Sequence, residues 1–353
     1  MKKYVLAIDQ GTTSSRAILF GKKGELIRIA RRDIKTQFPK PGWVEESATD
    51  IWVSVVESIT ELVEKAHIHY NEIDSIGITN QRETTVVWDK ETGAPVYPAI
   101  VWQSRQTADL CDKRNNKSDF IFNRTGLRLN PYFSASKIRF ILDHIKDGQK
   151  RAEKGELLFG TVETWLIYKL TNGKRHLTDV TNASRTMLFN IKTCEWDKEL
   201  LKIWDIPMCM LPKICPTAYD FGDATYLKHD IPITGVAGDQ QAALFGQTCY
   251  AKGESKNTYG TGCFMLMNIG DKPILSKHGL LTTVAWKIDN KVTYALEASV
   301  FMGGATIQWL RDGLEIIKST PESEKLATSV KDTGGVYLVP AFVGLGTPYW
   351  DND

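Results

Sequence analysis

Tyr4-Val5-Leu6-Ala7-Ile8-Asp9-Gln10-Gly11-Thr12-Thr13-Ser14-Ser15-Arg16-Ala17-Ile18-Leu19-Phe20 is a pair of apolar runs joined by a polar turn, with an acid closing the first run. Tyr4 to Ile8 reads as a buried strand and Ala17 to Phe20 as its hairpin partner. Gly11 lets the backbone approach a ligand closely, and successive N–H groups with several hydroxyls form a concavity suited to phosphate oxygens. Asp9 stands where a magnesium ion bridging such phosphates needs an oxygen ligand. An ordinary hairpin turn is the competing reading, since no Walker-type Gly-Lys-Thr follows.

Working outward, a chain of 353 residues exceeds the roughly 250–300 residues that one core usually serves, so two domains with a cleft between them are expected. The 44 basic and 42 acidic residues nearly cancel and gather in no long block. That balance argues against nucleic acid or an anionic membrane as the main partner and favours small-molecule chemistry. The 6 cysteines contain no CxxC pair, so neither a zinc site nor a disulfide framework is indicated. No signal-type segment opens the chain and no apolar stretch of about 18 residues occurs, so a cytoplasmic location is expected.

After the hairpin, Glu25 to Ala30 extends the sheet. Ser47 or Thr49 can cap a helix in which Ile51, Trp52, Val55, Val56, Ile59, Leu62 and Val63 mark one buried face. Ser75 to Thr79 reads as a parallel strand ending at Asn80-Gln81-Arg82-Glu83, and strand ends are where open α/β sheets place ligands. Val86 to Trp88 and Ile100 to Trp102 read as strands, and Ser104 to Thr178 as mainly helical. Near residues 245–262 the pattern restarts: a strand at Lys256 to Tyr259, the turn Gly260-Thr261-Gly262, and a strand from Cys263 to Ile269. Two such hairpins indicate a duplicated nucleotide clamp, with two unrelated hairpins as the alternative. The domains are accordingly set at 1–245 and 246–353.

Gly238-Asp239-Gln240-Gln241 lies where a strand gives way to a helix. A carboxylate there points into a cleft, beside the positive potential of a helix N-terminus, and can accept the proton of a hydroxyl attacking phosphorus. A plain helix cap is the other reading. Arg82-Glu83 offers a donor fork beside an acceptor, matching polyol hydroxyls, unless the two form a surface ion pair. Trp102, Tyr132 and Phe264 can wall a carbon chain, though each alone reads as core. Gly303 and Gly304 precede a helix and offer either a nucleotide contact or close packing.

Taken together, Asp9 to Arg16, Asn80-Gln81-Arg82-Glu83-Thr84, Trp102-Gln103-Ser104-Arg105, Gly238 to Gln241, Tyr259-Gly260-Thr261-Gly262 and Leu345-Gly346-Thr347-Pro348-Tyr349-Trp350 resemble the FGGY carbohydrate kinase family, in its glycerol-phosphorylating branch. The resemblance runs from Lys3 to Asp351. It implies an α/β fold of the actin-like ATPase type, with two RNase H-like domains around a cleft, the second incomplete. It also implies transfer of the ATP γ-phosphate to glycerol, giving glycerol 3-phosphate. On that basis Asp239 would be the general base. Arg82, Glu83, Tyr132 and Asp239 would bond the glycerol hydroxyls, with Gln240 close by and Trp102 and Phe264 against its carbons. Thr12, Thr13, Ser14 and Arg16 would hold phosphates, Thr261, Gly304 and Gln308 would contact the nucleotide, and Asp9 would orient Mg2+ through water. A cytoplasmic homo-oligomer, dimer or tetramer, is implied for the full-length form.

Two departures stand out. Family chains continue well past Trp350, where a Gly-rich stretch and an Asn contact the adenosine, so a fragment is expected. Tyr226-Leu227-Lys228-His229-Asp230 lacks the glycine and arginine of a loop that binds an inhibitory sugar bisphosphate in some relatives. Phe140 stands where the family often has tryptophan. Other FGGY polyol or sugar kinases are the nearest competing function; a non-catalytic glycerol-binding protein is the competitor from another class.

Overall fold

The computed structural model describes residues 3–351; residues 1–2 and 352–353, the outer ends of the two expected domains, lie outside the described residues. The opening hairpin forms as read. β1 (Tyr4–Gln10) pairs antiparallel with β2 (Ser14–Gly21), which pairs with β3 (Leu26–Asp33). Leu6, Ile8, Ala17 and Leu19 alternate inward and are buried in one cluster with Ile51, Val55, Ile59 and Leu62 of α1 (Ala48–Ala66). Ser47 caps α1, its hydroxyl accepting the Asp50 N–H at 3.1 Å, as a short polar side chain at this position does best.

β4 (Ile73–Asn80) adds in parallel to the other side of β1. β5 (Thr85–Asp89) leaves this sheet and pairs antiparallel with β6 (Leu157–Thr161). Here one expectation needs correction. The strand placed at Ile100 to Trp102 is only Ala99–Ile100, with Trp102 in the turn beyond it. The stretch from Ser104 to Thr178 is mainly helical as expected, with helices at Ser134–His144 and Val162–Leu170, and β6 is the strand that interrupts it. β6 is buried at every position, and a short continuous apolar run carries no periodicity to separate strand from helix.

β7 (Ile233–Gly238) completes the first sheet in the order β7-β4-β1-β2-β3 and feeds directly into α2 (Asp239–Gly246). The second hairpin comes next as β8 (Ser255–Tyr259) and β9 (Cys263–Gly270). β10 (Leu281–Ile288) and β11 (Lys291–Val300) extend it to an antiparallel sheet in the order β8-β9-β11-β10. α3 (Gly304–Asp312) then returns against the second turn. The two hairpin-led sheets, each opening a unit, make the actin-like, two-part α/β architecture that the resemblance implies. Phe140 is buried, edge-on to Trp43 at 5.5 Å and stacked on His144 at 3.8 Å, so the phenyl ring occupies a core position. Among the described residues, no helix is long and apolar enough to cross a membrane.

Candidate active site

The register of the first sheet builds the site. Gln10 of β1 lies level with Asn80 of β4, and Asn80 with Gly238 of β7, so three parallel strands end on one line. The residues just past each end, Gly11-Thr12, Gln81-Arg82-Glu83 and Asp239-Gln240, are thereby delivered to one place at the carboxyl edge of the sheet. Gln81 fastens two of these ends: its Nε2 donates to Gln10 Oε1 at 3.1 Å and to Glu46 Oε2 at 2.9 Å. Burial pushes the Glu46 carboxyl up to about 7, against the pull of its hydrogen bonds from Gln81 and Thr36.

Opposite lies the second hairpin. Thr258, Gly260, Thr261, Gly262 and Phe264 close a cavity of about 170 Å³ whose other wall is Thr12, Gln81, Arg82, Glu83, Trp102, Tyr132, Asp239 and Gln240. That is smaller than the roughly 300–1,000 Å³ of drug-sized ligand sites and suits a small polar molecule. Trp102 stands edge-on to Tyr132 at 5.8 Å and to Phe264 at 5.7 Å, which makes one apolar side of the cavity. The Trp102 indole donates to Thr12 Oγ1 at 2.8 Å, so the aromatic wall is locked to the first hairpin turn.

Asp239 is the first residue of α2, with Gly238 at the cap position. The plain-cap reading is not met, because Gly238 holds the cap position and the helix has no side-chain cap hydrogen bond. Asp239 Oδ1 accepts the Gln240 N–H at 2.7 Å and lies 3.2 Å from Arg82 Nε, while its Oδ2 accepts from Gln240 Nε2 at 3.1 Å. The side chain remains 37% exposed to the cavity. Burial raises its pKa to about 6, with the Arg82 guanidinium opposing and the Glu83 carboxylate assisting the rise. Such a group is ionised at neutral pH and still basic enough to take a proton.

Arg82 and Glu83 do not form the surface ion pair considered from sequence. Both are 2% exposed, and Arg82 is held bidentately by Glu297 of β11, Nη1 to Oε2 at 2.7 Å and Nη2 to Oε1 at 3.0 Å. Nη2 also donates to the Tyr132 hydroxyl at 3.1 Å. Glu83 accepts from Arg185 Nε at 2.6 Å, and Arg185 Nη2 donates to Glu297 at 2.9 Å. Two guanidiniums and two carboxylates thus form a closed buried set that joins the first sheet to the second. Burial opposes ionisation of Glu297, but Arg185 and Arg82 overcome it and hold its pKa down at about 2. Arg82 also adopts φ 30°, a left-handed backbone that a non-glycine residue keeps only when its surroundings fix it. Gly238 is required beside it, since a Cβ there would meet Arg82 Cγ and Cδ at 2.8 Å.

The expected phosphate and nucleotide residues divide. Thr12 and Thr261 line the cavity. Thr13 and Arg16 are exposed at the first turn, while Ser14 is buried and its carbonyl closes the turn by accepting the Gly11 N–H at 3.0 Å. Arg16 faces Asp9 across the β1–β2 pair and forms an ion pair at 3.3 Å, so it is engaged rather than free. Burial raises the Asp9 pKa and Arg16 counters it. Gly304 packs on the second turn, its N–H donating to Gly260 O at 2.8 Å, where a Cβ would also stand 2.8 Å from that oxygen. Gln308, four residues on, shares its face of α3 and is exposed.

Glu297, Arg185 and Thr258 are not among the residues that the sequence singles out. Glu297 interrupts an apolar strand, the one available signal. The position of Arg185 just past the short helix Val180–Ala183 carries none.

The chain matches the FGGY family of carbohydrate kinases, its N-terminal domain over residues 4–246 and its C-terminal domain over residues 255–353. Glycerol kinase of Oceanobacillus iheyensis is 57% identical over 357 residues, covering 100% of this chain and 71% of that protein. Glycerol kinase of Geobacillus sp. is 57% identical over 358 residues, covering 100% and 72%. Among solved structures, Plasmodium falciparum glycerol kinase with ADP superposes with a TM-score of 0.87 at 36% identity, over 99% of this chain and 71% of that one. Gluconate kinase from Lactobacillus acidophilus, at 22% identity and a TM-score of 0.84, shares the fold.

Proposed function

Because the chain belongs to the FGGY family of carbohydrate kinases, we propose that it transfers the γ-phosphoryl group of ATP to a terminal hydroxyl of glycerol, giving glycerol 3-phosphate and ADP. The observation that carries this reading is one small cavity in which a cleft carboxylate, a buried Arg–Glu pair and an aromatic wall converge. Glycerol has three hydroxyls that both donate and accept, on a carbon chain short enough for this space. In the reaction the hydroxyl oxygen forms its bond to phosphorus as the bond to the ADP oxygen breaks, and the hydroxyl proton passes to Asp239. Arg82, Glu83 and Tyr132 orient the hydroxyls, with Gln240 close by and Trp102 and Phe264 shielding the carbons. Positioning and electrostatics supply most of the rate in such transfers.

Thr12, Thr13 and Thr261 offer hydroxyls around the two turns for the phosphates, and Gly304 and Gln308 lie beyond the second turn, where a nucleoside would extend. Among the described residues no cluster of three or more His, Cys, Asp or Glu could hold a metal ion. Mg2+ fits nonetheless, since it usually takes one or two carboxylates and completes its shell with water and phosphate oxygens. Asp9, 30% exposed at the end of β1, is the carboxylate we assign to it. When bound, the ion neutralises charge on the transferring phosphates. Dependence on ATP favours a cytoplasmic location.

Thermal stabilisation tests the substrate directly: glycerol raises the melting temperature, and gluconate or xylulose at equal concentration does not. Equal stabilisation by all three contradicts the reading. The pH profile derives from Asp239. A carboxyl at about 6 is ionised and able to accept a proton above that pH, so kcat/KM is level above about 7 and falls tenfold per unit below about 6. Gly238→Ala pushes on the Arg82 stem and raises the glycerol KM by roughly tenfold or more, the loss of one hydrogen bond to a charged group. An unchanged KM removes Arg82 from the binding role.

A further inference from the structure

The first strand of the second hairpin carries a buried cation that the reaction as described leaves unused. Lys256 of β8 is 8% exposed and sits just behind the cavity wall. Its ammonium donates to Gln240 Oε1, to Thr258 Oγ1 at 2.8 Å and to Phe264 O at 3.3 Å. All three partners are neutral oxygens, and all three residues line the cavity. A buried ammonium without a carboxylate in contact is an expensive arrangement, and a core role alone would be served by methionine or leucine.

The geometry points to Lys256 as a positioning residue for Asp239, acting through Gln240 and tying the base to the second hairpin. This rests on the reading of Asp239 as general base. An amide has two ends, and its polarity is set by what each end meets. With Oε1 held by Lys256, Gln240 can only turn Nε2 toward Asp239, where it donates to Oδ2 at 3.1 Å. That leaves the carboxylate fixed by Arg82 on one oxygen and by Gln240 on both. The same ammonium holds the Thr258 hydroxyl, two residues before Gly260 of the turn, so a shift of the second hairpin is passed to the base through one side chain. The titratable and charged groups around Lys256 are Arg82, Glu297, Asp239 and Cys249; burial and Arg82 lower its pKa to about 8, with the two carboxylates opposing, and it stays charged at neutral pH.

The test is the titration of the Asp239 carboxyl by NMR in the resting chain, its resonance assigned by loss in Asp239→Asn, together with steady-state kinetics. Lys256→Met removes the donors while keeping the stem. It is expected to raise the Asp239 pKa by about one unit and to lower kcat roughly 10–100-fold, with glycerol KM changed less than about threefold. In the double variant with Gln240→Leu the pKa and kcat effects do not add, because the two residues form one chain of contacts. Should Lys256→Met not fold, Lys256→Gln decides by itself. It removes the charge while keeping a polar head on a shorter stem, and the Asp239 carboxyl pKa rises. An unmoved Asp239 titration in these variants, or additive effects in the double variant, overturns the role of Lys256. Loss of the carboxyl effect is distinct from failure of the functional reading, which shows as a parent chain that makes no glycerol 3-phosphate.

Discussion

Asp239→Asn is expected to leave glycerol bound and nearly abolish its phosphorylation. The substitution keeps the shape of the side chain, and an amide oxygen still accepts the Gln240 backbone N–H now held at 2.7 Å. What it removes is the basic site. A neutral amide cannot take the hydroxyl proton, so an alkoxide must form unaided, and general-base catalysis of this kind is worth about 10²–10⁴ in rate. Glycerol affinity changes far less, because Arg82 keeps Glu297 at 2.7 Å and Tyr132 at 3.1 Å and so remains in place. Measured by calorimetry and by product formation, the variant should bind glycerol within a few-fold of the parent while kcat falls by about 10² or more. Turnover within tenfold of the parent would refute the general-base role.

Glu297→Gln is the second large effect, and it falls on stability. Glu297 is fully buried and pairs with both Arg82 and Arg185, themselves 2% and 0% exposed. Replacing the carboxylate strands net positive charge where water cannot reach it, and breaking a buried pair by removing one partner costs about 3–5 kcal/mol. The carboxyl is held at about 2 in the folded chain, below its ordinary value of about 4.3. Its contribution is therefore fully present above about 4.3 and is lost as pH falls through about 2. Urea unfolding at neutral pH should show the loss, and the variant should lack that part of the parent's acid sensitivity. A loss under about 1 kcal/mol would mean that the pairs merely offset their own desolvation.

How much the sequence discloses about this molecule depends on the range of the interactions involved. Asp9 at the end of β1, the Ser47 cap and the buried stripe of α1 are set by neighbours within a few residues, so periodicity and turn chemistry reveal them. The convergence of Thr12, Arg82, Glu83 and Asp239 is also legible, because parallel strands that end on Gln10, Asn80 and Gly238 must deliver their succeeding residues to the same edge. The buried charge set is not legible. Arg82 meets Glu297 across 215 positions and Arg185 meets Glu297 across 112, and no local pattern encodes either pairing. Hydroxyl-rich composition at the first turn likewise says nothing of direction: Thr12 faces the cavity while Ser14 turns inward. The pairing of Arg16 with Asp9 is a middle case, a cross-strand neighbour implied by the hairpin register once the turn is known. β6 escaped because five buried residues carry no alternation.

The most direct test of the account is ATP-dependent formation of glycerol 3-phosphate by the purified protein, monitored in parallel with Asp239→Asn. The account predicts product from the parent, dependent on both glycerol and ATP, and a rate lower by about 10² or more in the variant. Absence of product from the parent, with glycerol binding intact, would contradict it and leave the cavity a glycerol-binding site without catalysis.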